Sequence, residues 1–238
     1  INTGRRLPGS GSDVENRVDA PQTVALSLFC AASNRAVMEA VRDRYEKETG
    51  RQLQIQYGAS QTLLSQLEVT GTGDLFLPAD DSYIQLGREK KLIAETIPLA
   101  TMKCGIAVPR GNPKGIDDLT DLFAEELRVV QANPESAAVG KITKATATRL
   151  GLWDQLDRST DAYRTTVADV ANDILVGAAD AGIVYDAVLT TFPDLEFVAV
   201  PQLQEAVSTV VVGVVSGTSQ PAEALHFARY LSAEDRGL

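Results

Sequence analysis

Four short stretches hold the residues best suited to chemistry: Cys30-Ala31-Ala32-Ser33-Asn34, Gly58-Ala59-Ser60-Gln61-Thr62, Ala137-Ala138-Val139-Gly140 and Thr165-Thr166-Val167-Ala168-Asp169. Each stands where a strand or loop gives way to a helix, and nearly all of their residues are small and uncharged. The first turn of a helix offers unpaired N–H groups and the positive end of the macrodipole. Several such starts aimed at one point, with hydroxyls among them, bind an anion without Lys or Arg. That chemistry is capture rather than turnover, so the expectation is a ligand-binding protein, not an enzyme, with no catalytic residue assigned.

The elements that must position these stretches alternate. Short β-rich runs at 24–29, 53–57 and 74–77 are separated by helices at 34–49, 62–69 and 82–89, and this order predicts an α/β fold with a mostly parallel sheet covered on both faces. In the first helix Val37, Met38, Val41 and Tyr45 form the apolar stripe, and Gly50 stops it. After 102–109 the alternation begins again. A short acidic helix around 117–126 leads to a strand at 127–131, helices at 140–150 and 167–177, and a strand at 181–185. A helix near 186–191 and a strand at 196–200 complete this unit. The apolar, β-branched run 207–215 reads as a central strand, and 221–231 as an amphipathic helix returning to the first unit. The expected division is an extended N-terminal arm or tether over 1–22, one lobe from 23–103 and 209–238, and a second lobe from 104–208. Two crossings between lobes make a hinge.

The 238 residues suffice for two modest lobes. With 32 acidic against 22 basic residues and a net charge of −10, the chain lacks the basic face that nucleic acid requires. The same charge repels a small anion at long range, so an anion site must act through short-range donors in a partly dry pocket. No apolar run approaches the ~20 residues of a bilayer span, and no signal peptide is present, so the expectation is a soluble chain. It ends at Arg236-Gly237-Leu238 just after a helix, which predicts a further terminal segment. Cys30 and Cys104 allow one disulfide or two free thiols.

Phe29-Cys30-Ala31-Ala32-Ser33, Tyr57-Gly58-Ala59-Ser60-Gln61-Thr62-Leu63, Gly73-Asp74-Leu75-Phe76-Leu77-Pro78-Ala79-Asp80 and Ala181-Gly182-Ile183-Val184-Tyr185, in this order and spacing, resemble the periplasmic molybdate-binding proteins of ABC importers. The resemblance runs from about Thr23 to Leu238. It implies a class II periplasmic-binding-protein fold whose two lobes close on a tetrahedral oxyanion held by two serines, backbone amides and a tyrosine. By motif position it places the serines on Ser33 and Ser60, backbone amides on Val139 and Val167, and the tyrosine on Tyr185. Cys30, Ala59 and Pro78 depart from the residues common in the family. The implied ligand is molybdate or tungstate, with no cofactor and no protein-bound metal cation. The implied partner is a membrane ABC permease. The implied setting is periplasmic or extracytoplasmic, as a monomer, with the arm as a tether. Sulfate is the alternative oxyanion. A ligand-sensing domain of a transcription regulator is the alternative function.

Read without the resemblance, Ser33 and Ser60 are also ordinary helix N-caps, and Tyr185 an aromatic at a strand end with its hydroxyl in solvent or on a carbonyl. Asp74 and Asp80 read as turn or helix caps before metal ligands. His226 reads as a packed or surface histidine. Cys30, at a helix start, is either a small buried residue or an activated thiolate that would make the chain an enzyme.

Overall fold

The structure is a computed structural model that describes residues 24–233. The arm read over 1–22 and the chain end at 236–238 lie outside the described residues.

The first half follows the expected alternation. Strand β1 (Leu26–Ala31) is buried along almost its whole length and pairs in parallel with β2 (Leu53–Gly58) and β3 (Leu75–Leu77). Helix α1 (Arg35–Thr49) buries Met38, Val41 and Tyr45 and ends at Gly50, which takes the left-handed conformation at φ 70° and donates its N–H to the Glu46 carbonyl. Val37, expected on the buried stripe, is 37% exposed. It lies to one side of the 38/41/45 line that faces the sheet. Helices α2 (Ser60–Thr70) and α3 (Asp81–Glu89) complete this unit.

Strand β4 runs unbroken over Ile93–Pro109 and organises the rest of the molecule. Its first part pairs antiparallel with β9 (Val207–Val215), from Ile93↔Val215 to Lys103↔Val207. Its last residues pair with β7 (Ala181–Tyr185) and β8 (Leu195–Val198) instead. Beyond β7 lie β5 (Val129–Ala132) and β6 (Thr160–Arg164), both parallel. The strand order is β2-β1-β3-β9-β4-β7-β5-β6, with β8 also on β4. Parallel pairing therefore belongs to the outer strands of each half, and antiparallel pairing to β4 and β9, which carry the chain between halves. We place the lobe division where β4 changes partner, between Lys103 and Cys104, and propose 23–103 with 209–238 as one lobe and 104–208 as the other.

The second half holds α4 (Ala138–Arg149), α5 (Trp153–Arg158) and α6 (Val167–Leu175), and α7 (Pro221–Leu231) follows β9. The expected helix at 117–126 is only a 3-10 turn, Leu119–Phe123, opened by a reciprocal capping box between Asp118 and Asp121 and followed by Ala124 in extended conformation. The expected helix at 186–191 is also a 3-10 turn, Asp186–Thr191. The sequence reading missed the strand character of 93–101, and also α5 and β6. β6 is partly exposed throughout and pairs only with β5, so it shows no buried alternation.

Candidate functional site

All four stretches converge on one cavity between the two halves. It is lined by Ala31 to Ser33, by Gly58 to Ser60 and Ala79, by Ala137 to Val139, by Thr166 and Val167, and by Tyr185. No lining residue carries a formal charge, and the five candidates Ser33, Ser60, Val139, Val167 and Tyr185 are all among them.

The three hydroxyls differ in their partners. Ser33 sits in the 3-10 turn Ala32–Asn34 that follows β1. It is buried, and its Oγ has no hydrogen-bond partner among the described residues. Tyr185 ends β7 at 1% exposure; its hydroxyl has the Ser208 side chain beside it but makes no hydrogen bond of ordinary geometry among the described residues. Burial pushes the Tyr185 phenol well above its ordinary range, and the neighbouring Cys104 raises it further. It therefore stays a protonated donor. Ser60 opens α2, and its Oγ accepts the Ala79 N–H at 3.1 Å. That bond occupies an oxygen lone pair and leaves the Ser60 proton free to donate into the cavity. Neither serine acts as a helix cap: no side-chain cap is made at the 3-10 turn or at the start of α1 or α2.

The amide candidates sit in first turns. Ala137 precedes α4 in extended conformation and its side chain caps nothing, so the N–H groups of Ala138 and Val139 keep their orphan character. Gly140 lets that helix start lie against the preceding loop. A Cβ there would stand 2.3 Å from the Ala132 carbonyl oxygen and 2.8 Å from the Pro134 nitrogen. At α6, Thr166 and Asp169 form a capping box: Asp169 N–H donates to Thr166 Oγ1 at 3.2 Å, and Thr166 N–H to Asp169 Oδ2 at 3.1 Å. Val167 lies between them, outside the box, and is itself a lining residue of the cavity.

A supporting layer escaped the sequence reading. Ser208, fully buried in β9, donates its hydroxyl to the Ala79 carbonyl, and the Asp80 carboxylate lies 3.2 Å from the same oxygen. Asp80 also accepts the Ser82 N–H at 3.0 Å as the cap of α3. The 78–80 segment that presents Ala79 to Ser60 is thus pinned from β9. Its one sequence signal was a serine near the start of an otherwise β-branched run. A second unforeseen contact, Gln61 N–H to the Ser136 carbonyl at 3.2 Å, joins the start of α2 to the loop before α4.

The other candidates have structural roles. Asp74 accepts the Ser27 N–H at 2.8 Å and the Thr218 hydroxyl. Among the described residues no group of three or more His, Cys, Asp or Glu is placed to hold a metal ion. Cys30 and Cys104 are both free and buried, and burial pushes both thiols up. This is the reverse of an activated nucleophile. His226 packs on Tyr45, with Nδ1 3.3 Å from its hydroxyl. No helix of the described residues is long and apolar enough to cross a membrane.

Comparison with known proteins agrees with this architecture. A substrate-binding lipoprotein of an ABC transporter from Bacillus subtilis, YvgL, described as putative, is 26% identical over 229 residues, covering 94% of this chain and 87% of that one. The molybdate-binding protein ModA of Mycobacterium tuberculosis is 28% identical over 216 residues, covering 88% and 79%. The solved periplasmic molybdate-binding protein of Azotobacter vinelandii superposes with a TM-score of 0.74 at 20% identity, covering 89% and 94%. Likeness at that identity shows the fold alone, and other solved proteins of the fold are described as bound to iron, bound to fructose 6-phosphate or sulfate-binding. The family model for bacterial extracellular solute-binding proteins matches residues 26–236, and the chain belongs to that family.

Proposed function

We propose that this solute-binding protein captures a fully deprotonated tetrahedral oxyanion, molybdate or tungstate, between its lobes and hands it to a membrane ABC permease. It acts outside the cytoplasm as a monomer tethered through its N-terminal arm. One observation carries the ligand class. Two buried hydroxyls that make no ordinary hydrogen bond among the described residues, Ser33 Oγ and Tyr185 OH, line a cavity that also takes in helix first turns and no charged side chain. An unpaired buried hydroxyl costs about 1–3 kcal/mol, a cost recovered when a ligand oxygen accepts its proton.

The donor pattern favours a particular protonation state. Ser60 is left as a donor by the Ala79 N–H, Tyr185 stays protonated, and main-chain amides only donate. A dianion without protons is matched at every oxygen. A monoprotonated phosphate brings a proton that only a hydroxyl lone pair can accept, and a hydroxyl turned to accept it no longer donates to the anion, so the ligand loses a donor. Sulfate shares the charge and shape of molybdate and differs in size, so the cavity radius separates them. With no cation in the wall, attraction comes from fixed dipoles at short range, as a chain of net charge −10 requires.

Titration calorimetry at neutral pH tests the proposal, on protein stripped of ligand by unfolding and refolding, with molybdate, tungstate, sulfate and phosphate. The expected result is tight one-to-one binding of the first two and silence from the others. Tight phosphate binding would refute the donor-only argument, and silence from all four would refute oxyanion capture.

A further inference from the structure

The geometry points to Lys141 as a closing latch, a positioning residue that sets ligand affinity without touching the cavity. Lys141 follows directly on the α4 turn that lines the site, yet its side chain leaves the cavity and crosses to the other half. There Nζ donates to Ser82 Oγ at 3.0 Å and stands 5.0 Å from the centre of the Tyr83 ring. Both partners belong to α3, which packs on β9 and on the first part of β4. The groove around this contact is lined by Gln61, Tyr83, Pro134, Glu135, Lys141 and Lys144, again drawn from both halves. The 3.2 Å bond from Gln61 N–H to the Ser136 carbonyl joins the same two edges nearby.

Three features suit Lys141 to a latch rather than a permanent staple. Its partners are a hydroxyl and a ring face, neither of which fixes a charge as a buried carboxylate would, so the contact opens at modest cost. The neighbouring Lys144 is engaged within its own half, 3.3 Å from Glu135 and over the Trp153 ring at 5.5 Å, and does not duplicate the crossing. The backbone that carries Ser82 is also held in place, because the Asp80 carboxylate that accepts its N–H is tied to Ser208 beneath the cavity. Ser60, Ala79 and Ser82 all belong to the first lobe, so Ser82 is offered to Lys141 as part of a preformed surface that the second lobe meets on closure. A contact made only in the closed state lowers the free energy of that state, and a ligand that binds the closed state then dissociates more slowly.

This inference rests on the proposed capture between lobes, and its test separates the two. Dyes are attached through Glu89→Cys and Gln155→Cys, one in each half, since both native thiols are buried. Single-molecule energy transfer then measures the ratio of closed to open protein without ligand and with molybdate. Lys141→Met is expected to lower that ratio three- to tenfold in ligand-free protein and to speed molybdate release by a similar factor. Lys141→Arg, which keeps the donor and the ring contact, is expected to restore both, and Ser82→Ala to give a partial loss that does not add to Lys141→Met. Lys141 is exposed on α4, so folding is not at stake. An unchanged closed-to-open ratio in Lys141→Met overturns the latch whether or not any anion binds. Failure of molybdate to bind refutes the capture reading, and the ligand-free ratio still decides the latch.

Discussion

Replacing Tyr185 by Phe removes one oxygen from the cavity wall and leaves the ring in place at the end of β7. That oxygen is buried at 1% exposure and makes no hydrogen bond of ordinary geometry with any described residue. An unpaired buried hydroxyl costs about 1–3 kcal/mol, so its removal should stabilise the empty protein by about 1 kcal/mol once relaxation is allowed. For a chain of this length, 1 kcal/mol corresponds to about 2–4 °C in Tm. The ligand then loses a donor in the same site, a loss of about 1–3 kcal/mol, or about 5- to 150-fold in affinity. The predicted signature is therefore a pair of opposite signs: Tm of stripped protein up, affinity for molybdate down. Calorimetry supplies the affinity and differential scanning the Tm. A Tyr185→Phe protein that is less stable when empty and binds as tightly as before would refute the argument, because the hydroxyl would then serve the fold.

The same logic applied to Ser33→Ala predicts unchanged or raised stability of the empty protein and a fall in affinity of about 5-fold or more, read in the same two assays. Ser60→Ala should differ, since it also strands the buried Ala79 N–H; it should lower both affinity and Tm. Val167→Pro tests a main-chain donor. The position is the first of α6, and Thr166 before it is already extended at φ −127° and ψ 158°, so proline fits the backbone, and the N–H is lost along with part of the buried Val167 side-chain packing. The expected result is a native circular-dichroism spectrum with an affinity loss of about 5-fold or more. Acid stability offers a test remote from the site. The Arg128 guanidinium holds the Asp180 carboxyl down to about 2. A lowered carboxyl contributes stability that is complete above its unfolded value near 4 and disappears as pH falls through 2. Asp180→Asn should therefore lower stability at neutral pH and flatten its decline between pH 4 and pH 2, as followed by urea unfolding.

The sequence carried the fold where local pattern and tertiary role coincide. Residues 181–185 and 207–215 are apolar because they are central, and their bounds are those of β7 and β9. The 93–101 stretch was illegible because, after the buried Ile93, its residues are exposed or half-buried in no regular order and include Pro98. Its strand identity comes from pairing with β9, more than a hundred residues away. The short acidic segment at 117–126 misled for the opposite reason: Asp118 and Asp121 do make a helix-start capping box, but the chain turns extended at Ala124 after a single turn. At the site, the order of the four small-residue stretches was readable, and the structure brings all four to one cavity. The partners that set donor polarity were not readable. Ala79, Ser208 and Asp80 act through a carbonyl, an amide and buried contacts between distant strands, and residue type alone marks none of these.

Crystals grown with molybdate and measured at the molybdenum absorption edge test the central claim most directly, because the anomalous signal locates the metal atom independently of any assumed site. The account predicts one strong peak inside the cavity, with oxygens in hydrogen-bond reach of Ser33 Oγ, Ser60 Oγ, the Val139 and Val167 amides and the Tyr185 hydroxyl. A peak elsewhere on the molecule, with this cavity empty of molybdenum, would contradict it.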